Sequence, residues 1–227
     1  MTFVLVHGAF HGAWCWERLT PLLSRPSVAV DLPGPGRGPY TEATSLQGWA
    51  DAVIEQAEGD EFVLVAHSFG GMTVPFVAGV MGQRVRHAVF VSAAVPLPGE
   101  DVFNAYPPPL AQLARLSVRL RGRTGVMAPD TKNGAKVFCN DMSAEQTSAT
   151  LGRLTPELVR PALERTSVTM PAIPTTYVVL ERDKVFSPHR QRQLAARLQA
   201  PTVVSLDAGH DAMISRPELL ADVLNGI

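Results

Sequence analysis

The residue of this sequence with the clearest chemical potential is a serine between an apolar run and two glycines. Ser68 follows the run 63–67 (VLVAH) and precedes the residues 69–71 (FGG). A serine hydroxyl becomes an effective nucleophile when a sharp strand-to-helix turn presents it beside a base, and such turns need small neighbours, usually in the pattern G-x-S-x-G. Ala66 replaces the first glycine here, a difference of one methyl group. The pattern predicts a nucleophilic Ser68; the alternative is a plain linker between two ordinary elements.

Two further residues would complete the set that a nucleophilic serine needs. His210 follows the apolar run 202–206, and Asp183 follows the apolar run 175–181. We predict that His210 takes the proton from Ser68 and that Asp183 orients the imidazole and stabilises its charged form. The alternatives are a surface loop histidine and an exposed ion pair. The chain order of serine, acid and histidine is that of the α/β hydrolases.

Five short stretches carry a wider similarity. They are 7–16 (HGAFHGAWCW), 31–34 (DLPG), 67–71 (HSFGG), 209–210 (GH) and 215–217 (SRP). Together they resemble the plant methylesterase and hydroxynitrile lyase branch of the α/β-hydrolase superfamily, with its bacterial esterase relatives. The resemblance implies an α/β fold with a mainly parallel sheet flanked by helices. It also implies serine hydrolase chemistry, for which neither a metal nor a cofactor is expected.

Acyl transfer also needs two backbone N–H groups that receive the oxyanion. Phe69, the residue after the nucleophile, is predicted to supply one of them, and the resemblance implies Ala9 for the other. Four residues are expected to contact the substrate: Gly8, Phe10, His11 and Met213.

A metal site is a further interpretation of the first histidines. His7 and His11 have the i, i+4 spacing of a helical metal pair, but they lie in a glycine-containing turn. Neither a cysteine in metal-ligand spacing nor a cluster of carboxylates supports a metal there, so they are expected to line the site or brace the turn rather than hold a metal.

The same scaffold can cleave cyanohydrins, so the lyase alternative has to be weighed at two positions. Plant lyases of the branch carry a hydroxyl residue, or in another subgroup Asn, after the first-strand histidine, and a lysine after the catalytic histidine. Gly8 and Asp211 stand there in this sequence. Glycine offers no side-chain hydrogen bond, and a carboxylate opposes a developing anion. Asp211 also departs from the esterases, which tend to have Met there.

We therefore predict a serine carboxylesterase that hydrolyses small neutral carboxylic esters through an acyl-enzyme intermediate. Hydroxynitrile lyase-type cleavage and a weakly catalytic ligand-binding receptor on the same fold remain the alternatives. Hydrolysis of amides or lactones would use the same residues.

The elements that must position these residues alternate between apolar β-branched runs and helical stretches, which is typical of a parallel sheet covered by helices. Strands are predicted near 2–7, 27–31, 61–66, 86–92, 175–181 and 202–206. Helices are predicted near 13–24, 45–58, 69–81, 188–199 and 216–225, with Ser45 and Ser187 as N-caps of the second and fourth.

The segment 98–170 breaks this alternation. We predict one α/β-hydrolase domain over 1–227, with a core of 1–97 and 171–227 and a helical cap over 98–170. Helices are expected near 143–151 and 155–164 of the cap. A separate small domain or an irregular loop is the alternative, but long irregular loops inside compact chains are uncommon. An exposed apolar cap could pair two protomers into a homodimer.

Composition limits the partners and the location. The 227 residues carry a net charge of -1, which gives no electrostatic reason to expect nucleic acid or an anionic membrane as a partner. The first strand follows Met1 almost directly, and no apolar run is long enough to span a bilayer, so a signal peptide and a membrane anchor are not expected. Cys15 and Cys139 show no metal or redox spacing, which favours free thiols and the cytoplasm.

Overall fold

The computed structural model describes residues 1–41, 43–121 and 125–227. A sheet of six parallel strands forms its centre, in the order β2-β1-β3-β4-β7-β8. These strands are β1 Thr2–Val6, β2 Ser27–Val30, β3 Phe62–His67, β4 Val85–Val91, β7 Thr175–Leu180 and β8 Thr202–Leu206. All six predicted strands and the parallel sheet are therefore confirmed.

The sheet is covered on both faces because its central strands alternate between two apolar clusters. In β3, which is buried throughout, Leu64 and Ala66 belong to one cluster, and Val63 and Val65 belong to the other. Such continuous apolar runs are typical of parallel strands that have helices on both sides.

Two helices of the core begin at the predicted caps. Ser45 accepts a hydrogen bond from the Gly48 N–H at the start of the helix Leu46–Gln56, and Ser187 accepts one from the Arg190 N–H at the start of the helix Pro188–Ala195. Each side chain satisfies an N–H group that the first helical turn leaves without a partner. The α-helices outside 98–170 are α1 Leu46–Gln56, α2 Val74–Met81, α7 Pro188–Ala195, α8 Ala212–Ser215 and α9 Pro217–Asn225.

The helix predicted over 13–24 is wrong as a single element. The structure has two short 3-10 helices instead, Ala13–Trp16 and Thr20–Leu22. Pro21 would lie inside a continuous helix, where it lacks the N–H for the i→i−4 hydrogen bond and clashes with the preceding turn.

The segment 98–170 contains more secondary structure than the sequence predicted. Its elements are a 3-10 helix Val102–Ala105, α3 Pro108–Arg121, β5 Val126–Met127, α4 Thr131–Val137, α5 Ala144–Arg153, β6 Glu157–Leu158 and α6 Val159–Leu163. The helix expected near 143–151 is confirmed by α5. The helix expected near 155–164 is corrected to α6, since residues before it pair with β5 as an antiparallel strand.

The parallel strands bring the predicted site residues to one edge of the sheet. Ser68 follows β3 directly, and Asp183 and His210 lie a few residues after β7 and β8. Ligands of open α/β sheets bind outside these carboxyl ends. Among the helices of the described residues, none is both long and apolar enough to cross a membrane.

Candidate active site

Ser68 occupies a strained turn between β3 and the 3-10 helix Ser68–Thr73. Its φ is 50°, a left-handed conformation that is uncommon for a residue other than glycine. The glycines after it allow the close packing of this turn: a Cβ on Gly71 would lie 2.1 Å from the Ala94 carbonyl oxygen, and one on Gly70 would lie 2.6 Å from the His7 carbonyl oxygen. These short distances explain why glycines, which have no Cβ, follow Ser68 in the sequence.

Three buried side chains form a continuous hydrogen-bonded chain at this edge. The Ser68 Oγ lies 3.0 Å from Nε2 of His210, and Nδ1 of His210 lies 2.7 Å from Oδ2 of Asp183. In the arrangement that these distances favour, the hydroxyl donates to Nε2 and the Nδ1–H donates to the carboxylate. His210 can then accept the serine proton while the carboxylate holds the ring.

Asp183 is held by more donors than the sequence indicated. Its Oδ1 accepts hydrogen bonds from the backbone N–H groups of Val185 at 2.6 Å and Phe186 at 3.1 Å. Its Oδ2 accepts a bond of 2.5 Å from the Ser92 hydroxyl in addition to the one from His210. Sequence reasoning missed Ser92, although its place after β4, at the same sheet edge, is a usable signal.

The predicted oxyanion donors lie beside the nucleophile. Phe69 lies in the first turn of the 3-10 helix, where N–H groups have no acceptor within the helix. The Ala9 N–H donates to no backbone or side-chain acceptor among the described residues. Two N–H groups that are left unpaired next to Ser68 suit the transient binding of an oxyanion.

A cavity of about 180 Å³ opens in front of Ser68. Its walls are mostly apolar and include Ala9, Phe10, His11, Phe69, Val102, Phe103, Tyr106, Phe138, Leu158, Val159 and Phe186. A second cavity of about 530 Å³ adjoins the first and shares Phe10, Tyr106, Phe138 and Val185 with it.

Two of the residues expected to contact substrate do not lie on the cavity wall. Met213 is fully buried in the apolar cluster behind His210, because the short helix α8 packs it there, and this corrects the expectation. Gly8 abuts the nucleophile instead, since a Cβ there would lie 2.7 Å from the Ser68 Cβ. Phe10 and His11 do line the cavity.

A buried ion pair that the sequence did not indicate holds the turn after β1 in place by hydrogen bonds to its backbone. Arg37 and Glu157 form a buried ion pair of 2.6 Å. Glu157 accepts a 2.9 Å bond from the Phe10 N–H, and Arg37 donates a 2.6 Å bond to the His11 carbonyl. Phe10 has a φ of 66°, so these bonds fix a backbone conformation that would otherwise be unfavourable.

A hydrogen bond from His67 connects the turn that carries Ser68 to the loop that carries His210. The Nε2–H of His67 donates to the His210 carbonyl oxygen at 3.0 Å. His67, His210 and Asp211 could also be grouped as metal ligands, because one polar atom of each lies within 4.8 Å of the others. The hydrogen bonds to Ser68 and Asp183 already engage both ring nitrogens of His210, so the network accounts for this cluster without an ion.

We expect the free energy of unfolding to fall as the pH drops from 6.5 to 5.0. Burial, and then the Arg37 charge, lower the pKa of His7 well below its ordinary value; burial, and then His210, lower the pKa of His67 in the same way. Below a pH of about 6.5 the unfolded chain binds protons that the folded protein excludes, which costs up to about 1.4 kcal/mol per pH unit for each histidine. Urea unfolding at both pH values measures the difference, and equal free energies would contradict it.

Comparison with known proteins decides the family. The model of the alpha/beta hydrolase family matches residues 3–223. The chain belongs to the alpha/beta hydrolase family.

Curated relatives of this alpha/beta hydrolase extend over almost its whole length. It is 27% identical to methylesterase 9 of Arabidopsis thaliana, with 98% of this chain and 96% of the relative covered. It is 29% identical to methyl jasmonate esterase 1 of Vitis vinifera, with coverage of 95% and 92%. The structure also superimposes on an extracellular alpha/beta hydrolase from a Paenibacillus species with a TM-score of 0.88 and 21% identity, covering 99% and 97% of the two chains.

Within this family, the structure changes one argument against a lyase. Asp211 forms a buried ion pair with His11 and does not line the cavity, so its charge does not face a departing anion as the sequence suggested. The argument from Gly8 remains, because no side-chain hydroxyl is available there. Among the described residues that line the cavity, none is a lysine or an arginine that could receive cyanide.

Proposed function

We propose that this alpha/beta hydrolase is a serine carboxylesterase that hydrolyses small neutral carboxylic esters through an acyl-enzyme intermediate. The observation that carries the proposal is the hydrogen-bonded chain from Ser68 through His210 to Asp183, with the Ser68 hydroxyl facing an apolar cavity. Mere binding of a ligand needs no such chain, which argues against a receptor.

The proposed reaction has two symmetrical halves. The Ser68 Oγ attacks the ester carbonyl while His210 Nε2 takes the hydroxyl proton, and the N–H groups of Ala9 and Phe69 receive the oxyanion. The tetrahedral adduct expels the alcohol, to which His210 gives its proton. Water then attacks the acyl-enzyme carbonyl while His210 takes its proton. The second tetrahedral adduct breaks the bond between the acyl carbon and Ser68 Oγ, His210 returns the proton to Ser68, and the carboxylic acid leaves. Asp183 stays ionised throughout and stabilises the imidazolium.

The cavity supports a small neutral acyl group. Its volume of about 180 Å³ lies below the roughly 300–1,000 Å³ of pockets for drug-sized ligands, and its walls are mostly apolar. Two relatives are named for methyl esters, methylesterase 9 and methyl jasmonate esterase 1. We therefore propose methyl or short-alkyl esters of aryl or other apolar acids as substrates.

The segment 98–170 is proposed to act as a cap on a core of 1–97 and 171–227. The support is its share of the cavity wall: Val102, Phe103, Tyr106, Val118, Met127, Phe138, Glu157, Leu158, Val159 and Ala162 all come from it. Exchange of cap residues should change the choice of acyl group rather than the reaction.

The state of the two cysteines and one exposed helix face support proposals for the cellular location and the oligomeric state. Both cysteines are free and buried, which supports a reducing compartment such as the cytoplasm. Leu110, Leu113, Leu116 and Leu120 are exposed on α3 and form the face on which a homodimer would pair. Sedimentation of the purified protein tests that assembly.

A substrate panel tests the function directly. We expect multiple turnover on p-nitrophenyl acetate and butyrate, with slower hydrolysis of the octanoate because its longer acyl chain must fill much more of the cavity of about 180 Å³. Methyl esters of aryl acids should also be hydrolysed, and mandelonitrile should not be cleaved. Steady-state rates are measured for the parent protein and for Ser68→Ala.

The possible results separate the candidate functions. Serine-dependent hydrolysis of the esters supports the proposal, and the order of rates ranks acyl size. Cleavage of mandelonitrile alone would establish the lyase alternative. Labelling of Ser68 by a fluorophosphonate without turnover of any ester would favour a receptor.

A further inference from the structure

A buried ion pair next to the site has no part in the reaction described above. Nε2 of His11 lies 3.0 Å from Oδ2 of Asp211, and the two side chains are 1% and 0% exposed. Charges so fully removed from water are costly unless they are paired and hydrogen-bonded. The presence of such a costly pair beside the site therefore indicates that the pair has a function.

The contacts of His11 define its protonation state. Its Nδ1 lies 2.8 Å from the Ala9 carbonyl oxygen, which can only accept, so this nitrogen carries a hydrogen. Its Nε2 faces the Asp211 carboxylate, so the ring has an acceptor on both sides. Both nitrogens are protonated when the ring is an imidazolium, and the pair is then a charged histidine against an ionised aspartate.

The electrostatic balance agrees with that state. Burial lowers the pKa of His11, but the charge of Asp211 and the hydrogen bonds to Asp211 and Ala9 outweigh it, so the pKa is raised. Burial raises the pKa of Asp211, but the charge and hydrogen bond of His11, followed by His67 and His210, outweigh it, so the pKa is lowered.

The titratable groups around the pair come from several elements. They are His7, His67, His210, Arg37, Cys15 and Cys139. Burial holds His67 neutral and raises the pKa of both thiols, so none of these three supplies a competing charge. Arg37 is neutralised by its own pair with Glu157.

The pair joins the two halves of the site. Its acidic member directly follows His210 in the chain, and its basic member holds the carbonyl of Ala9, the predicted oxyanion donor. The peptide unit between Ala9 and Phe10 is held at both ends, because its carbonyl accepts from His11 and its N–H donates to Glu157. The orientation of this unit limits where the Ala9 N–H can point.

We propose that His11 and Asp211 form a positioning pair that ties the turn after β1 to the loop of His210 and so aims the Ala9 N–H at the oxyanion. The inference rests on the proposed esterase function. It gives Asp211, which departs from the pattern of the resembled esterases, a role in transition-state geometry rather than in contact with the alcohol.

The main test is Asp211→Asn, which keeps the size of the side chain and removes its charge. Loss of an oxyanion donor typically lowers the rate by about 10²–10³-fold, so a misaligned donor should lower kcat by about 10–100-fold. KM should stay within about threefold, since substrate contacts are unchanged. The affinity for a trifluoromethyl ketone, which forms a tetrahedral adduct on serine, should fall by the same factor as kcat.

Asp207→Asn is the matched control. Asp207 lies in the same loop and pairs with Arg182, but its side chain is 78% exposed. Its replacement should leave kcat, KM and ketone affinity unchanged. An Asp211→Asn protein that is folded and has the parental kcat and ketone affinity would overturn the inference.

A measurement on the parent protein covers the case in which Asp211→Asn does not fold. Nitrogen-15 NMR of the imidazole groups, assigned with His11→Gln, should show both His11 nitrogens protonated, with a titration midpoint above the ordinary value of about 6.5. A neutral His11 at pH 6.5 would overturn the inference. Failure of the esterase function itself is seen separately, as ester turnover that survives in Ser68→Ala.

Discussion

Replacement of Ser68 by alanine should abolish ester turnover while the protein stays folded. The Ser68 Oγ is the atom that we expect to bond to the acyl carbon, and no other hydroxyl among the described residues is bonded to His210. Removal of the serine from a hydrolytic triad lowers kcat on the order of 10⁶-fold. Steady-state rates with p-nitrophenyl butyrate measure the loss.

The fold should tolerate the change, because alanine only deletes a hydroxyl group with a single partner. We expect a melting temperature within a few degrees of the parent, measured by differential scanning fluorimetry. Ser205→Ala, at an exposed serine of β8, is the matched control and should keep full activity. Comparable turnover by Ser68→Ala would end the hypothesis that Ser68 is the nucleophile.

Asp183→Asn is expected to lower kcat by about 10⁴-fold, the size of the effect when a triad aspartate becomes asparagine. The contacts of Asp183 explain why. Its Oδ1 accepts from the N–H groups of Val185 and Phe186, so the asparagine oxygen should take that side. The amide nitrogen then faces Nδ1 of His210 and donates to it. The ring proton moves to Nε2, which can no longer accept the proton of Ser68.

Rates across a pH series, with Asp207→Asn as the control for loss of a nearby carboxylate, check this prediction. A loss of less than tenfold would mean that another carboxylate orients His210. In that case Glu181, which precedes Asp183 in the chain, becomes the residue to replace next.

The sequence predicted the parts of this protein that depend on local rules. Apolar β-branched runs specified all six strands, and Ser45 and Ser187 marked the starts of two helices, because strand periodicity and N-capping act over a few residues. The chain order of Ser68, Asp183 and His210 could be interpreted because parallel strands present their carboxyl ends at one edge.

What sequence reasoning missed depends on contacts between distant segments. Arg37 and Glu157 are paired across 120 positions, and His11 and Asp211 across 200. No local sequence pattern indicates such a pair when only one sequence is known. Met213 was misplaced for a similar reason, since the direction of a side chain after His210 is set by the packing of α8 and not by its spacing from the histidine.

The bond from His67 to the His210 carbonyl has a consequence for the cooperativity of the fold. This bond, the pair of His11 with Asp211 and the contact of His210 with Ser68 attach one C-terminal loop to the turns that follow β1 and β3. If the loop detached alone, Asp211 would leave with it and the charge of His11 would stay buried without a partner. Local unfolding of this region is therefore strongly disfavoured. The catalytic groups and the centre of the sheet therefore belong to one cooperative unit, and activity should be lost together with the fold rather than before it.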